Sequence, residues 1–268
     1  MQAFTWLRKC MTGRSDTRCR PARKPTPRFR PQLEALDGRC LPSTLTVTNN
    51  LDSGPGSLRA DIAAAHNKDT IVFAPSLNGQ TITLTSGSLL ISQKNLTIRG
   101  PGASQLTVSG NHNSRVFVIE PGVNVNLSGL TISNGIASKA ALFNDGIGDG
   151  GGIYNGGTLT VTGCILSGNG AAFVGSPSSG EGGGIYNAGT ITLSGCTLSD
   201  NSASYLGGGM YNAGTATVSG CTFTWNSAQV GGGISNAAML TVSSSFFSYN
   251  FGGAIDGGYT DGGGNTFN

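Results

Sequence analysis

From residue 150 onward, apolar and polar positions recur in short blocks at a nearly fixed period. G-G-G-I-Y-N-G-G-T-L-T-V-T-G-C-I-L-S-G-N spans Gly150–Asn169, and near-copies begin at Gly182, Gly207 and Gly231. Within each copy the G-T-x-T-V-T segment alternates with period two, the mark of a strand with one buried face. Aligning the copies puts Leu159, Ile191, Ala216 and Leu240 in one apolar column and Val161, Leu193, Val218 and Val242 in the next. Thr158, Thr190 and Thr215, and then Thr160, Thr192, Thr217 and Thr241, fall on the opposite face. Ile153/Ile185/Met210/Ile234 and Leu166/Leu198/Phe223/Phe247 complete the inward set. Each copy therefore predicts three short strands separated by Gly or Asn turns. A fixed period of about 20–50 residues signals a repeat architecture in which each unit buries its apolar face only against its neighbours. The fold class expected is all-β, a parallel β-helix of three sheets with one coil per copy. Ser176–Glu181 should bulge from the longest copy.

The pattern continues upstream less regularly, through T-I-T-L-T (Thr81–Thr85), N-L-T-I-R-G (Asn95–Gly100), Q-L-T-V-S-G (Gln105–Gly110) and V-N-L-S-G-L-T-I-S-N (Val125–Asn134). Residues 44–268 give a solenoid of roughly nine coils at about 24 residues per coil, within the usual repeat range. Before them, S-L-R-A-D-I-A-A-A-H (Ser57–His66) places Leu58, Ile62 and Ala65 on one helical face behind an N-capping serine. That segment predicts a helix near 57–66 that caps the first coil, as solenoid ends require. The expected organisation is a basic segment over 1–43, a cap over 44–80, and the β-helix over 81–268, most regular across 150–250. Asn155/Asn187/Asn212/Asn236 and Asn169/Asn201/Asn226/Asn250 mark two corners. Asn tolerates left-handed backbone there, and its amides can bond one another up the stack.

Charge is unevenly spread. Residues 1–43 carry ten Lys and Arg against three acids, and no Lys, Arg or His follows Lys139. A nucleic-acid surface in the repeat half is excluded by that absence, because phosphate neutralisation needs cations. The R-C-R-P-A-R-K-P-T-P-R-F-R-P segment reads as a disordered basic tail or leader. It lacks the apolar run of an ordinary secretory signal, and no stretch is long enough to span a membrane.

Chemistry is sparse. Cys164, Cys196 and Cys221 share one column, between Leu130 and Ser245, and read as free, buried thiols. Asp149 and Glu181 stand at equivalent positions before G-G-G on adjacent coils, with Asp145 close by. Such acids could gather Ca²⁺, which takes six to eight oxygens, or form a glycosidase-like catalytic pair, or only decorate turns. No other cofactor is indicated. Tyr154, Tyr186 and Tyr211 should stack outward, and a second column reads Gly168, Asp200, Trp225, Tyr249. Outward aromatic rows either stack on sugar rings or brace the sheet by cross-strand contacts. The T-x-T rows resemble the ice-binding face of some antifreeze proteins. Met239 and several serines interrupt that grid, and Thr is a common outward strand residue.

T-V-T-N-N-L-D-S-G-P-G-S-L-R-A-D-I (Thr46–Ile62), T-I-V-F (Thr70–Phe73) and the G-G-G-I-Y-N copies resemble bacterial right-handed parallel β-helix surface proteins with CSLREA-type or polymorphic-outer-membrane-protein-like repeats. The resemblance covers about residues 44–268. L-E-A-L-D-G-R-C-L-P-S (Leu33–Ser43) is similar to a leader seen before such domains in exported proteins. Gly56 stands where that family usually has Cys, and Ala60–Asp61 replaces Glu–Ala. The resemblance implies a right-handed helix and an extracellular or cell-surface location reached by a non-standard leader. The function expected is a non-enzymatic module offering a rigid ladder to a glycan or protein partner. The alternative is a polysaccharide lyase or glycoside hydrolase acting on an extracellular polysaccharide. Lyases of this fold need a cation beside their acids, and Lys94, Arg99 and Arg115 are expected in earlier coils, far from Asp149 and Glu181.

Overall fold

The computed structural model describes residues 41–92, 94–138, 148–172 and 180–268. The basic segment up to residue 40, with Cys10, Cys19 and Cys40, lies outside the described residues. So do Asp145 and most of the expected bulge at 176–181.

The chain winds as a parallel β-helix. Among the described residues all strand pairs are parallel, in sheets of nine, eight and seven strands plus a short fourth of three. One regular coil runs through Ile185–Asn187, Thr190–Ser194, Thr197–Ser199 and Ser202–Ala203, one strand in each sheet. The register pairs Leu159 with Ile191, Ile191 with Ala216 and Ala216 with Leu240, so the apolar columns stack rung on rung. Their side chains form one continuous buried cluster that includes Cys164, Cys196 and Cys221 as free thiols. Each fully buried Leu, Ile or Val contributes about 1.5–3 kcal/mol by leaving water.

Three sheets were expected; the fourth is additional. Its strands are Ile136–Ser138, Gly170–Ala172 and Ser202–Ala203, and Ala171, Ala203 and Ala228 form a small separate apolar cluster. Two- or three-residue strands of small residues carry too little hydrophobic contrast to show as a period.

At the N-terminal end the helix is Leu58–Ala64, with Leu58 and Ile62 buried and the Ser57 side chain accepting from the Ala60 amide. Arg59 fastens this helix to the first coils, donating to Asp52 at 2.7 Å and to the carbonyls of Gly87 at 2.6 Å and Ser88 at 2.8 Å. The Lys94 ammonium donates to the carbonyls of Ile62, Ala63 and Ala65 at its other end. In S-L-R, then, Ser caps, Leu buries and Arg staples. Gly56 just before it has φ +78°, a conformation that glycine adopts without strain. The first sheet already contains Thr44–Val47 and Asp69–Phe73, so the stack begins in the segment expected to be a cap.

One outward column of that sheet is nearly uniform. The register runs from Thr44 to Thr70 and Thr97, through Asn126, to Thr160, Thr192, Thr217, Thr241 and Thr260.

Two asparagine ladders run inside the coils. The amide of Asn155 donates to Asn187, Asn187 to Asn212, and Asn212 to Asn236, each at 2.7 Å. Asn169 donates to Asn201 and Asn201 to Asn226 at 2.9 Å, and Asn226 to Asn250 at 3.0 Å. The corner role differs from the expected one. Just before the second ladder the residues are left-handed, Asn134, Gly168, Asp200, Trp225 and Tyr249, with φ between +52° and +63°, and another left-handed corner falls at Gly163, Gly195, Gly220 and Ser244. The ladder asparagines point inward to bond, and their neighbours make the turn.

Candidate functional site

Two outward features gather the chemistry. The first is centred on Asp149, which is only 5% exposed. Its Oδ1 accepts the Glu181 amide at 3.0 Å, tying the two adjacent coils together. Burial pushes the Asp149 carboxyl above its ordinary value, and the amides of Glu181 and Gly180 and the Arg115 charge pull partly back. Glu181, one rung on, is raised by burial and then by repulsion from Asp149. The tyrosines beside them respond in the same field. Burial, then the two carboxylates, pushes Tyr186 up to about 12 and raises Tyr211.

Tyr154, Tyr186 and Tyr211 stack as the column predicts, but each is only half-exposed. Tyr154 and Tyr186 lie 5.2 Å apart at 4°, and Tyr186 and Tyr211 5.4 Å apart at 34°. Much of each ring face is therefore spent on its neighbour, in extended strand backbone.

Arg115 corrects the expectation that every cation lies far from the acids. It is 2% exposed, its Nε donates to the Asp149 carbonyl at 2.7 Å, and its guanidinium sits 5.7 Å from the centre of the Tyr154 ring. Phe117 pairs with Ile153, which brings the residues just before each strand level with one another. Counting in steps of 24 or 25 residues misses this, because 34 residues separate Arg115 from Asp149. Among the described residues, no group of three or more His, Cys, Asp or Glu is placed to hold a metal ion.

The second feature is the ridge of left-handed corners. Trp225 and Tyr249 are 59% and 66% exposed, and their rings stack at 4.5 Å and 12°. With Tyr249 against one face, the other face of Trp225 looks along the ridge toward Asp200, one rung earlier and exposed. Gly168 adds no side chain on the rung before that. The result is an aromatic step above a carboxylate and an open shelf. For a bulky residue, φ near +55° costs about 1–2 kcal/mol relative to the right-handed region. The ladder behind holds it there, since the Trp225 amide donates to Ser248 and Asn226 is locked on both sides.

Elsewhere, a cavity of about 250 Å³ lies under the cap helix, lined by Ile62, Leu89 and Ile91 with Arg59 and Lys94 at its edge. Both cations there hold backbone carbonyls, as described above. No helix among the described residues is long and apolar enough to cross a membrane. No protein-family model matches the chain, and no curated protein matches it in sequence.

Proposed function

We propose that the chain is a non-enzymatic, exported or cell-surface β-helix module that binds glycan on its corner ridge. The observation that carries this reading is the Trp225–Tyr249 pair: large, exposed, stacked, and standing at left-handed corners where the coil would accept glycine without strain. Strained conformations persist where surrounding structure over-determines them, and they concentrate at functional positions. A sugar ring fits under the free face of Trp225, with the Asp200 carboxylate accepting from its hydroxyls. The resemblance to bacterial surface proteins of this fold agrees with an exported module. A lyase or hydrolase reading would rest on Asp149, Glu181 and Arg115. The burial of Asp149, and the amide and guanidinium bonds that tie its residue into the stack, favour a structural role for that group.

Trp225→Gly is the informative variant, because Gly168 already occupies the same corner at φ +63°. The fold should be retained while the ring is lost. On a glycan array, binding is expected to weaken by about 2 kcal/mol, roughly 30-fold in Kd, the scale of a central aromatic contact. Release of new reducing ends, abolished by Asp149→Asn, would overturn the non-enzymatic reading.

A further inference from the structure

The outward face of the nine-stranded sheet is independent of the ridge. From Asn124–Ser128 to Met239–Ser243, every outward residue of its strands is Asn, Thr or Ser, except Met239. No charge occurs on that stretch, although other surfaces of the coils carry acids. Among the described residues, the hydroxyls of Thr160, Thr192, Thr217 and Thr241 make no hydrogen bond inside the chain. Parallel, in-register pairing spaces them at about 4.8 Å along the column, and outward neighbours along each strand stand about 6.6 Å apart. The χ1 of a β-branched side chain is stiff, so each methyl and hydroxyl is presented in a repeated orientation.

We infer that this threonine face adsorbs to ice. A rigid, uncharged, rectangular mesh of methyls and unpartnered hydroxyls is complementary to a solid made only of water. Its two spacings lie close to those of oxygens on the prism planes of hexagonal ice. A crystalline polysaccharide is the weaker match, because aromatic platforms are absent from this stretch and belong to the ridge. Met239 and Tyr259 bound the mesh at its C-terminal end, so those interruptions leave the Thr158–Thr217 area intact. Serines at the flanking column keep the hydroxyl and lose only the methyl.

The test uses the full chain in slowly growing ice. The wild type is expected in the ice fraction and to slow recrystallisation of fine-grained ice. The double variant Thr192→Lys/Thr217→Lys should be excluded from the ice, with its circular dichroism unchanged. Should that variant fail to fold, Thr192→Tyr serves in its place, since a ring on an exposed strand face breaks the mesh without adding charge. Trp225→Gly should partition with the wild type, which separates this face from the ridge. Exclusion of the wild type from ice, equal partition of a folded mesh variant, or adsorption to crystalline cellulose instead of ice would each overturn the inference.

Discussion

Truncating one rung of the second asparagine ladder tests whether that ladder, rather than apolar packing alone, locks the coils. Asn201 is fully buried. Its Nδ2 donates to the Leu166 carbonyl and to Asn226 Oδ1, both at 2.9 Å. Its Oδ1 accepts from the Asn169 backbone amide at 3.0 Å and the Asn169 side chain at 2.9 Å. Asn201→Ala removes all four bonds at once. Two of the groups left behind keep a second partner: Asn169 Nδ2 still reaches the Ile132 carbonyl, and Asn226 Oδ1 still accepts the residue 201 amide. The buried Asn169 amide loses its partner. One buried orphan at about 1–3 kcal/mol, plus three bonds at about 0.5–1 kcal/mol each, gives an expected loss of about 2.5–6 kcal/mol.

The position along the stack supplies the internal control. Asn250 makes the same kind of bonds, to Phe223 and Asn226, but is half-exposed, so water can replace what Ala removes. Its truncation is expected to cost only about 1–2 kcal/mol, the range of a single hydrogen bond or two. Asn126→Ala, on the exposed sheet face, should stay within about 0.5 kcal/mol. Urea midpoints followed by circular dichroism measure the three. Hydrogen exchange at the Asn169 amide reads the lost rung directly, since coils open locally as well as globally. An Asn201→Ala midpoint equal to that of Asn126→Ala would refute the reasoning.

Two other outcomes follow from the same geometry. Asp149 and Glu181 are held above their ordinary values of 3.8 and 4.5, so their contribution to stability is complete below those values and is lost as pH rises through the raised ones. Glu181→Gln should therefore gain on the wild type as pH rises, in paired urea titrations across that window; a constant difference would sink the assignment. Cys221→Ser should cost less than about 1.5 kcal/mol, the scale of one hydrogen bond. Ser245 one rung on already accepts the Cys221 amide at 3.1 Å and donates to Ser243 at 2.8 Å, as Cys221 does with Cys196 and Ser219. A loss above about 3 kcal/mol, typical of a cavity, would show that the thiol column is packed for sulfur.

The repeat made the inward columns legible because each side chain has one role, burial, repeated at one spacing. Ser57 and Leu58 were readable for a similar reason: capping and apolar spacing are local. What stayed hidden depended on registration between unlike coils. Arg115 precedes a strand whose sequence, F-V-I, shares no wording with I-Y-N, so only the pairing of Phe117 with Ile153 brings it beside Asp149. The same holds for Thr44 and Thr70, which join the threonine column from segments that do not read as copies. Intrinsic preference alone predicts asparagine at the left-handed corner. Inside the coil the asparagine amides serve as rungs, and at the second ladder the turn falls to the preceding residue whatever its type.

That displacement is why the proposed binding role is placed on the ridge rather than on the tyrosine column. Tyr154, Tyr186 and Tyr211 sit in unstrained strands, half-buried, and their mutual stacking accounts for them. Gly168 shows what stability alone favours at a ridge position, a residue with no penalty at φ +63°. Trp225 and Tyr249 accept that penalty of about 1–2 kcal/mol each, against only about 0.5–1.5 kcal/mol returned by their shared stacking. The deficit is tolerable because Asn201, Asn226 and Asn250 fix the corner from within, so the outer side chain is released from any structural duty. A ladder that over-determines its corners lets the chain vary them freely, and it is at such positions that a repeat otherwise devoted to stacking can acquire a ligand.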